Sequence, residues 1–265
     1  MIGCHYHRLR VDGDVMWFES TDFTRSNWAP ELQHGSPPLA LMTKAIEELL
    51  TDSPLRIGRL SLDILGAIPV TPVSVRAWVE RPGKRISLLA AEMRAVGDNG
   101  AERPVARVTG WALATSDTAD VAGDRYPPLA DESAAQRLPS WFDGIGGYFD
   151  SVNFRPQPDN ATGAAVWWLR PLVHLVDTED STPLQKLAQI VDCANGVGSV
   201  LDPREFVFMN TDTVVHVHRP PRGADFGLRA RGSIGPDGIG VTTAEIFDRG
   251  GFVGTSAQTL LVQRR

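Results

Sequence analysis

One order of elements occurs twice in this 265-residue chain, and that repetition limits the fold to two copies of one domain packed together. Val15-Met16-Trp17-Phe18 opens an early strand and Val166-Trp167-Trp168-Leu169 a later one. Each is followed by a short helix that begins at proline, Ser36-Pro37-Pro38-Leu39 in the first case and Ser181-Thr182-Pro183-Leu184 in the second. A strand ending in proline comes next, Ser61 to Pro69 and then Asp212 to Pro220, and each half closes on an apolar strand, Val105 to Leu113 and Val253 to Leu261. A period this long marks a duplicated domain, not a solenoid. Aligned, the copies set Ser61 opposite Asp212 and Gly110 opposite Gln258, so one copy carries a carboxylate and an amide where the other is small.

Such a length holds two ordinary domains and a core that needs no covalent staples. Cys4 and Cys193 are far apart and lack metal-ligand spacing, so a reducing compartment is expected. The formal net charge of −6 argues against a nucleic-acid partner. There is no apolar run of membrane length, and residues 1–20 hold no signal-peptide core. The expectation is a cytoplasmic protein with no membrane partner. Walker, dinucleotide and Gly-x-Ser-x-Gly signatures are missing, and His216 and His218 have no accompanying ligand cluster, so neither cofactor nor metal is expected.

Strand patterns dominate: Leu60 to Ile64 and Val73 to Glu80 alternate, and Ile86 to Val96 turns through Gly97-Asp98-Asn99-Gly100 into Ala101 to Leu113. Glu205 to His218, Phe226 to Ile234, Gly240 to Phe247 and Phe252 to Gln263 repeat the scheme. Helical spacing predicts helices over Pro38 to Leu50 and Pro183 to Ala194. A helix wrapped by a curved antiparallel sheet is a hotdog fold, and the α+β pattern here predicts a double hotdog. A β-sandwich would leave the two matched helices no place. The expected division is an N-terminal hotdog over residues 1–114, a linker over 115–148 and a C-terminal hotdog over 149–265.

His34-Gly35-Ser36-Pro37-Pro38 enters the first helix, where unpaired N–H groups could polarise a carbonyl oxygen. Prolines 37 and 38 have no N–H, which leaves the Gly35 and Ser36 amides as donors; the plainer reading is that these residues only shape the helix start. Asp212 shares a strand face with Val214, His216 and His218, while Thr211 and Thr213 face the other way; its carboxylate could deprotonate water or simply be solvated. Gln258 sits in an apolar strand, where a buried amide must find partners, and Ser233 and Thr242 are the nearest hydroxyls. Asp192-Cys193-Ala194-Asn195-Gly196 ends the second helix with Asn195-Gly196 as its cap, although Asp192 and Asn195 could face the cleft between copies.

At His34-Gly35-x-Pro-Pro, Asp212 through Pro220, Gly235-Pro236-Asp237-Gly238-x-Gly240 and Ala257 to Leu261 the chain resembles the acyl-CoA thioesterase II family of double-hotdog proteins. The resemblance spans both halves and omits the linker and the extreme N-terminus. It implies hydrolysis of a fatty acyl-CoA by a water that an Asp, a Thr or Ser and a Gln position. Carried over, Asp212 and Gln258 fill two places, and Ser233, beside Gly232, is the closest hydroxyl for the third. His34, Gly35 and Ser36 would hold the thioester, Trp17, Trp78, Trp167 and Trp168 could wall the acyl tunnel, and Arg219 or Arg222 could meet CoA phosphates. Two other readings stand beside it, a double-hotdog enoyl-CoA hydratase and a non-catalytic acyl-CoA binding protein. Because hotdog sheets extend across subunits, a homodimer is expected.

Overall fold

Leu39, Ala40, Leu41, Met42, Ala45 and Ile46 are buried on every side of one helix, as a helix at the centre of a wrapped sheet requires. The computed structural model describes residues 3–97, 100–129, 137–142, 144–158, 163–177 and 179–265. Part of the turn read at 97–100 and part of the 115–148 linker therefore lie outside the described residues. The first half runs β1 (Cys4–Asp12), β2 (Val15–Ser20), α1 (Ser36–Glu48), β3 (Leu55–Ile64), β4 (Val73–Arg81), β5 (Ile86–Val96) and β6 (Glu102–Ala114). The second runs β7 (Val152–Pro156), β8 (Ala165–Pro171), β9 (His174–Val176), α2 (Pro183–Val191), α3 (Ala194–Val197), β10 (Phe206–Asn210), β11 (Asp212–Val217), β12 (Phe226–Ile234), β13 (Ile239–Asp248) and β14 (Gly251–Arg264). The fold is the α+β double hotdog.

The duplication is visible in the sheet. Strands follow β1-β2-β4-β5-β6-β3 in one half and β7-β8-β12-β13-β14-β11 in the other, and the antiparallel pair β3–β11 joins them. β9 crosses over to pair with β1, and β10 continues along β14 beyond β11. The long strand expected over Glu205 to His218 is thus two, broken at Thr211.

At the seam Asp212 pairs with Asp63, Thr213 with Leu62 and Val214 with Ser61. With Ser61 matched to Asp212, Leu62 becomes the counterpart of Thr213, and the twofold between copies passes through this pair. Leu62 pairs in turn with Val108, and the β11–β14 register continued one step sets Thr213 beside Gln258. The counterpart of Gln258 is therefore Val108, not Gly110. A slip of two residues keeps every side chain on its face, so alternation alone could not expose the error.

The helices clasp each other's ends. Thr182 and Gln185 form a capping box at the start of α2, and both donate to Glu47 Oε2 near the end of α1, at 2.8 and 2.7 Å. Burial pushes the Glu47 carboxyl up, against the pull of those two donors. The matching contact, α2 end on α1 start, builds the site.

Candidate active site

Asp192 ends α2 and is 2% exposed. A carboxylate so deep needs donors. Oδ1 has three: Asn210 Nδ2 at 2.7 Å, Gln258 Nε2 at 3.1 Å, and the Thr213 hydroxyl. Gln258 Nε2 also donates to Thr213 Oγ1 at 2.9 Å and to the Asp192 carbonyl at 3.1 Å. Charge-assisted bonds of this kind fix a carboxylate firmly. Oδ2 instead points at the start of α1, where a Cβ added to Gly35 would lie 2.5 Å from it. The buried Gln258 Oε1 has no partner among the described residues, and neither has the hydroxyl of Thr242, its cross-strand neighbour.

The start of α1 supplies donors, but not both of those expected. The Ser36 N–H donates to His34 Nδ1 at 3.1 Å, so the side chain of His34 caps the helix. The Gly35 N–H has no partner among the described residues. His34 stacks flat on Tyr148, with ring centroids 3.9 Å apart, and its Nδ1 is 3.8 Å from Asp192 Oδ2. Burial lowers the pKa of His34, and the Asp192 carboxylate opposes this in part. Tyr148 OH donates to the Gln189 carbonyl at 2.6 Å and touches Cys193 Sγ at 3.2 Å. Burial pushes the Cys193 thiol up to about 12, so it is no nucleophile near neutral pH.

Asp192, Gly35 and His34 face a cavity of about 410 Å³ between the two halves. Its polar end also holds Asn195 and Asn210; Thr213 and Gln258 stand behind Asp192. Its walls are apolar. Phe142, Phe149, Phe154 and Trp167 form one aromatic wall with neighbouring ring centroids 5.0–6.2 Å apart, and Leu32, Ile64, Ile68 and Phe208 also line the cavity. No group of His, Cys, Asp or Glu among the described residues is placed to hold a metal ion.

Of the residues singled out in the sequence, the structure brings His34, Gly35, Ser36, Asp192, Asn195 and Gln258 to this place and leaves Asp212 and Ser233, among others, elsewhere. Asp212 points away: Thr213, Val215 and Val217 are the buried side of β11, and Asp212 Oδ1 accepts the Thr259 N–H at 2.9 Å on the other face. Asp212 and Gln258 do not converge. Ser233 is exposed near the end of β12, and Gly232 is glycine because the Gly198 carbonyl would lie 2.8 Å from its Cβ. Asn195-Gly196 is no helix stop, since both belong to α3. Arg219 is committed to both oxygens of Asp248, at 2.7 and 2.6 Å. Trp167 lines the cavity, whereas Trp17, Trp78 and Trp168 lie beneath Arg10, Arg107 and Arg249. Asp192 and Asn195, read as able to face the cleft between copies, both line the cavity; the residues missed are Thr213 and Asn210, together with the role of Asp192 as the site carboxylate. The available signal was the pair Val215 and Val217, which marks the inward face of β11 and puts Thr213 on it.

The sequence matches the acyl-CoA thioesterase N-terminal domain over residues 24–113 and the acyl-CoA thioesterase C-terminal domain over residues 120–262. The chain belongs to the acyl-CoA thioesterase family. Among solved structures it resembles a thioesterase II from Thermobifida fusca, with TM-score 0.71 and 16% identity over 97% of this chain and 95% of that one. It also resembles a hot dog protein of unknown function from Alicyclobacillus acidocaldarius (TM-score 0.73, 14% identity, 96% and 95% covered). An acyl-CoA thioesterase II from Mycobacterium marinum gives TM-score 0.67 and 12% identity over 97% and 95%. No curated protein matches the sequence. No helix among the described residues is long and apolar enough to cross a membrane.

Proposed function

We propose that this site hydrolyses a fatty acyl-CoA through a water activated by Asp192. The observation that carries the reading is the asymmetry of that carboxylate: Oδ1 is held by three donors, and Oδ2, with no hydrogen bond among the described residues, lies against Gly35 at the start of α1. A water between Oδ2 and the substrate gives its proton to Asp192 as its oxygen attacks the thioester carbon. The carbonyl oxygen, negative in the tetrahedral intermediate, rests on the Gly35 N–H at the positive end of the 13-residue α1. On collapse the carbon–sulfur bond breaks, and the departing thiolate takes the proton from Asp192. Free acid and CoA thiol leave. Thr213, Asn210 and Gln258 act as positioning residues that keep Oδ2 aimed, and the unpartnered Gln258 Oε1 offers a further acceptor for solvent. The aromatic wall takes the acyl chain.

Thiol release from a series of acyl-CoAs, measured on wild type and Asp192→Asn, tests the reading. Tight acyl-CoA binding without thiol release would make this a binding protein instead. One observation favours a second reading, reversible hydration of an enoyl-CoA: His34 from one half approaches Asp192 from the other, at 3.8 Å. That chemistry needs the imidazole to move a proton, yet Nδ1 already accepts from Ser36. Loss of enoyl absorbance on adding the protein would support it. A cytoplasmic homodimer completes the proposal, and a monomeric mass in solution scattering would count against the dimer.

A further inference from the structure

We infer that the nucleotide end of the substrate, with its diphosphate and 3′-phosphate, docks on an arginine-lined cavity beside the reaction cavity. This rests on the reading of the site as an acyl-CoA hydrolase. The second cavity, about 540 Å³, is lined by Arg25, Arg204 and Arg265. It shares Ser26, Asn27, Trp28 and Pro203 with the reaction cavity, so the two adjoin. One ligand can therefore occupy both, with its thioester at Gly35 and its anionic end among the arginines.

The arginines differ in how they are held. Arg25 lies across Gly146 and Gly147, whose φ of 71° and 63° are left-handed. A Cβ at Gly146 would lie 2.9 Å from Arg25 Nη2, and one at Gly147 would lie 3.0 Å from Arg25 Nε. Only glycine suits both positions, and the pair gives the guanidinium a bed. Asp22, 3.5 Å away, is exposed, and Asp150 Oδ2 also lies near Gly146. Arg265 Nε donates to the Pro203 carbonyl at 2.9 Å, which anchors the side chain without neutralising it. Arg204 is gripped by Asp202 and is the weakest of the three. Trp28 stands at the junction, edge-on to Phe208 at 5.2 Å, and offers a flat ring to the arm or the base. Guanidinium forks match phosphate oxygens in pairs, so the chemistry fits an anion with several phosphates. In a chain of formal charge −6, attraction of such a ligand has to be local.

The test is the double variant Arg25→Gln, Arg265→Gln, assayed on an acyl-CoA and on the same acyl-pantetheine, which lacks the nucleotide. The expected result is an approximately tenfold or larger fall in the ratio of kcat/KM for acyl-CoA to that for acyl-pantetheine. Calorimetry with CoA thiol should show a comparable rise in Kd. An unchanged ratio with unchanged CoA affinity overturns the docking site. So does an equal fall on both substrates, which would mark the arginines as structural. If neither thioester is hydrolysed by wild type but CoA affinity still falls in the variant, the docking site holds and the hydrolase reading fails.

Discussion

Thr213 and Leu62 face each other across the seam of the sheet, one polar and one apolar, at equivalent points of the duplicated fold. Their neighbours continue the contrast: Gln258 lies beside Thr213, and Val108, fully buried, beside Leu62. Both helix ends carry a carboxylate, but the two differ in what they face. Glu47 Oε2 is taken by Thr182 and Gln185 at the start of α2, whereas Asp192 keeps one oxygen free of hydrogen bonds among the described residues, against Gly35 at the start of α1. Duplication supplied two equivalent clefts, and only one has the polar residues that can fix a carboxylate and leave half of it open.

Replacing Asp192 by Asn should lower kcat by about 10²–10⁴-fold, the usual contribution of a positioned base. The amide oxygen can still accept from Asn210, Thr213 and Gln258, so the fold should persist and thermal melting should change little. Asp212→Asn is the contrasting variant, because an amide oxygen there still accepts the Thr259 N–H. Thiol-release rates within about twofold of wild type are expected for it, as for most surface changes. The reverse order of effects would overturn the assignment of the base.

Asn210→Ala and Thr213→Val each remove one donor to Asp192 Oδ1. Each should cut kcat by roughly ten- to a hundredfold, and Thr213→Val should also cost about 1–3 kcal/mol, because Gln258 and Asn210 lose an acceptor. Residues sharing one network do not act independently, so the double variant should fall short of the product of the singles. Multiplicative effects in a kinetic double-mutant cycle would show that the two side chains do not hold the carboxylate together.

How much of this was legible depended on range. The helices, most strands and the duplication follow from local periodicity and proline placement, and Gln258 stood out as an amide in an apolar strand. β1 escaped because buried Cys4, His5 and Tyr6 are consecutive and most of the rest is exposed, so no period shows. Asp192 was legible only as a residue able to face the cleft, because a carboxylate at a helix end reads as an ordinary terminus until the opposite helix is seen to start against it. Thr213 is hidden for a different reason: alternation divides a strand into two faces without saying which is inside, and Asp212 and Thr213, one on each face, are both polar.

Gly35→Ala isolates one contact. The backbone at Gly35 is helical, φ −67° and ψ −25°, so alanine is conformationally acceptable there. The obstacle is Asp192 Oδ2, 2.5 Å from the new Cβ, in a carboxylate whose other oxygen is held by three donors. Displacing it should reduce kcat about a hundredfold or more and cost about 1–3 kcal/mol of stability. Full activity in this variant would mean that Oδ2 takes no part in the reaction.

Acid should unfold this protein through His5. The ring is fully buried; Nε2 meets Ser151 Oγ at 3.0 Å, and that hydroxyl donates to the Tyr148 carbonyl. Gln189 Nε2 lies 3.3 Å from Nδ1, a donor that a neutral ring accepts and a protonated ring cannot. Burial, aided by His34, lowers the His5 pKa to about 3. In the unfolded chain the ring titrates near 6.5. Between these values only the unfolded state binds the proton, so stability rises with pH; it is complete above about 6.5 and is lost progressively as pH falls toward about 3. Each unit is worth about 1.4 kcal/mol, so roughly 4–5 kcal/mol hangs on this ring over the window. His34, lowered in the same direction, adds to the effect. Urea midpoints measured from pH 7 to pH 4 should drop steeply in wild type and follow a flatter line in His5→Phe. Parallel lines would assign the acid sensitivity to other groups.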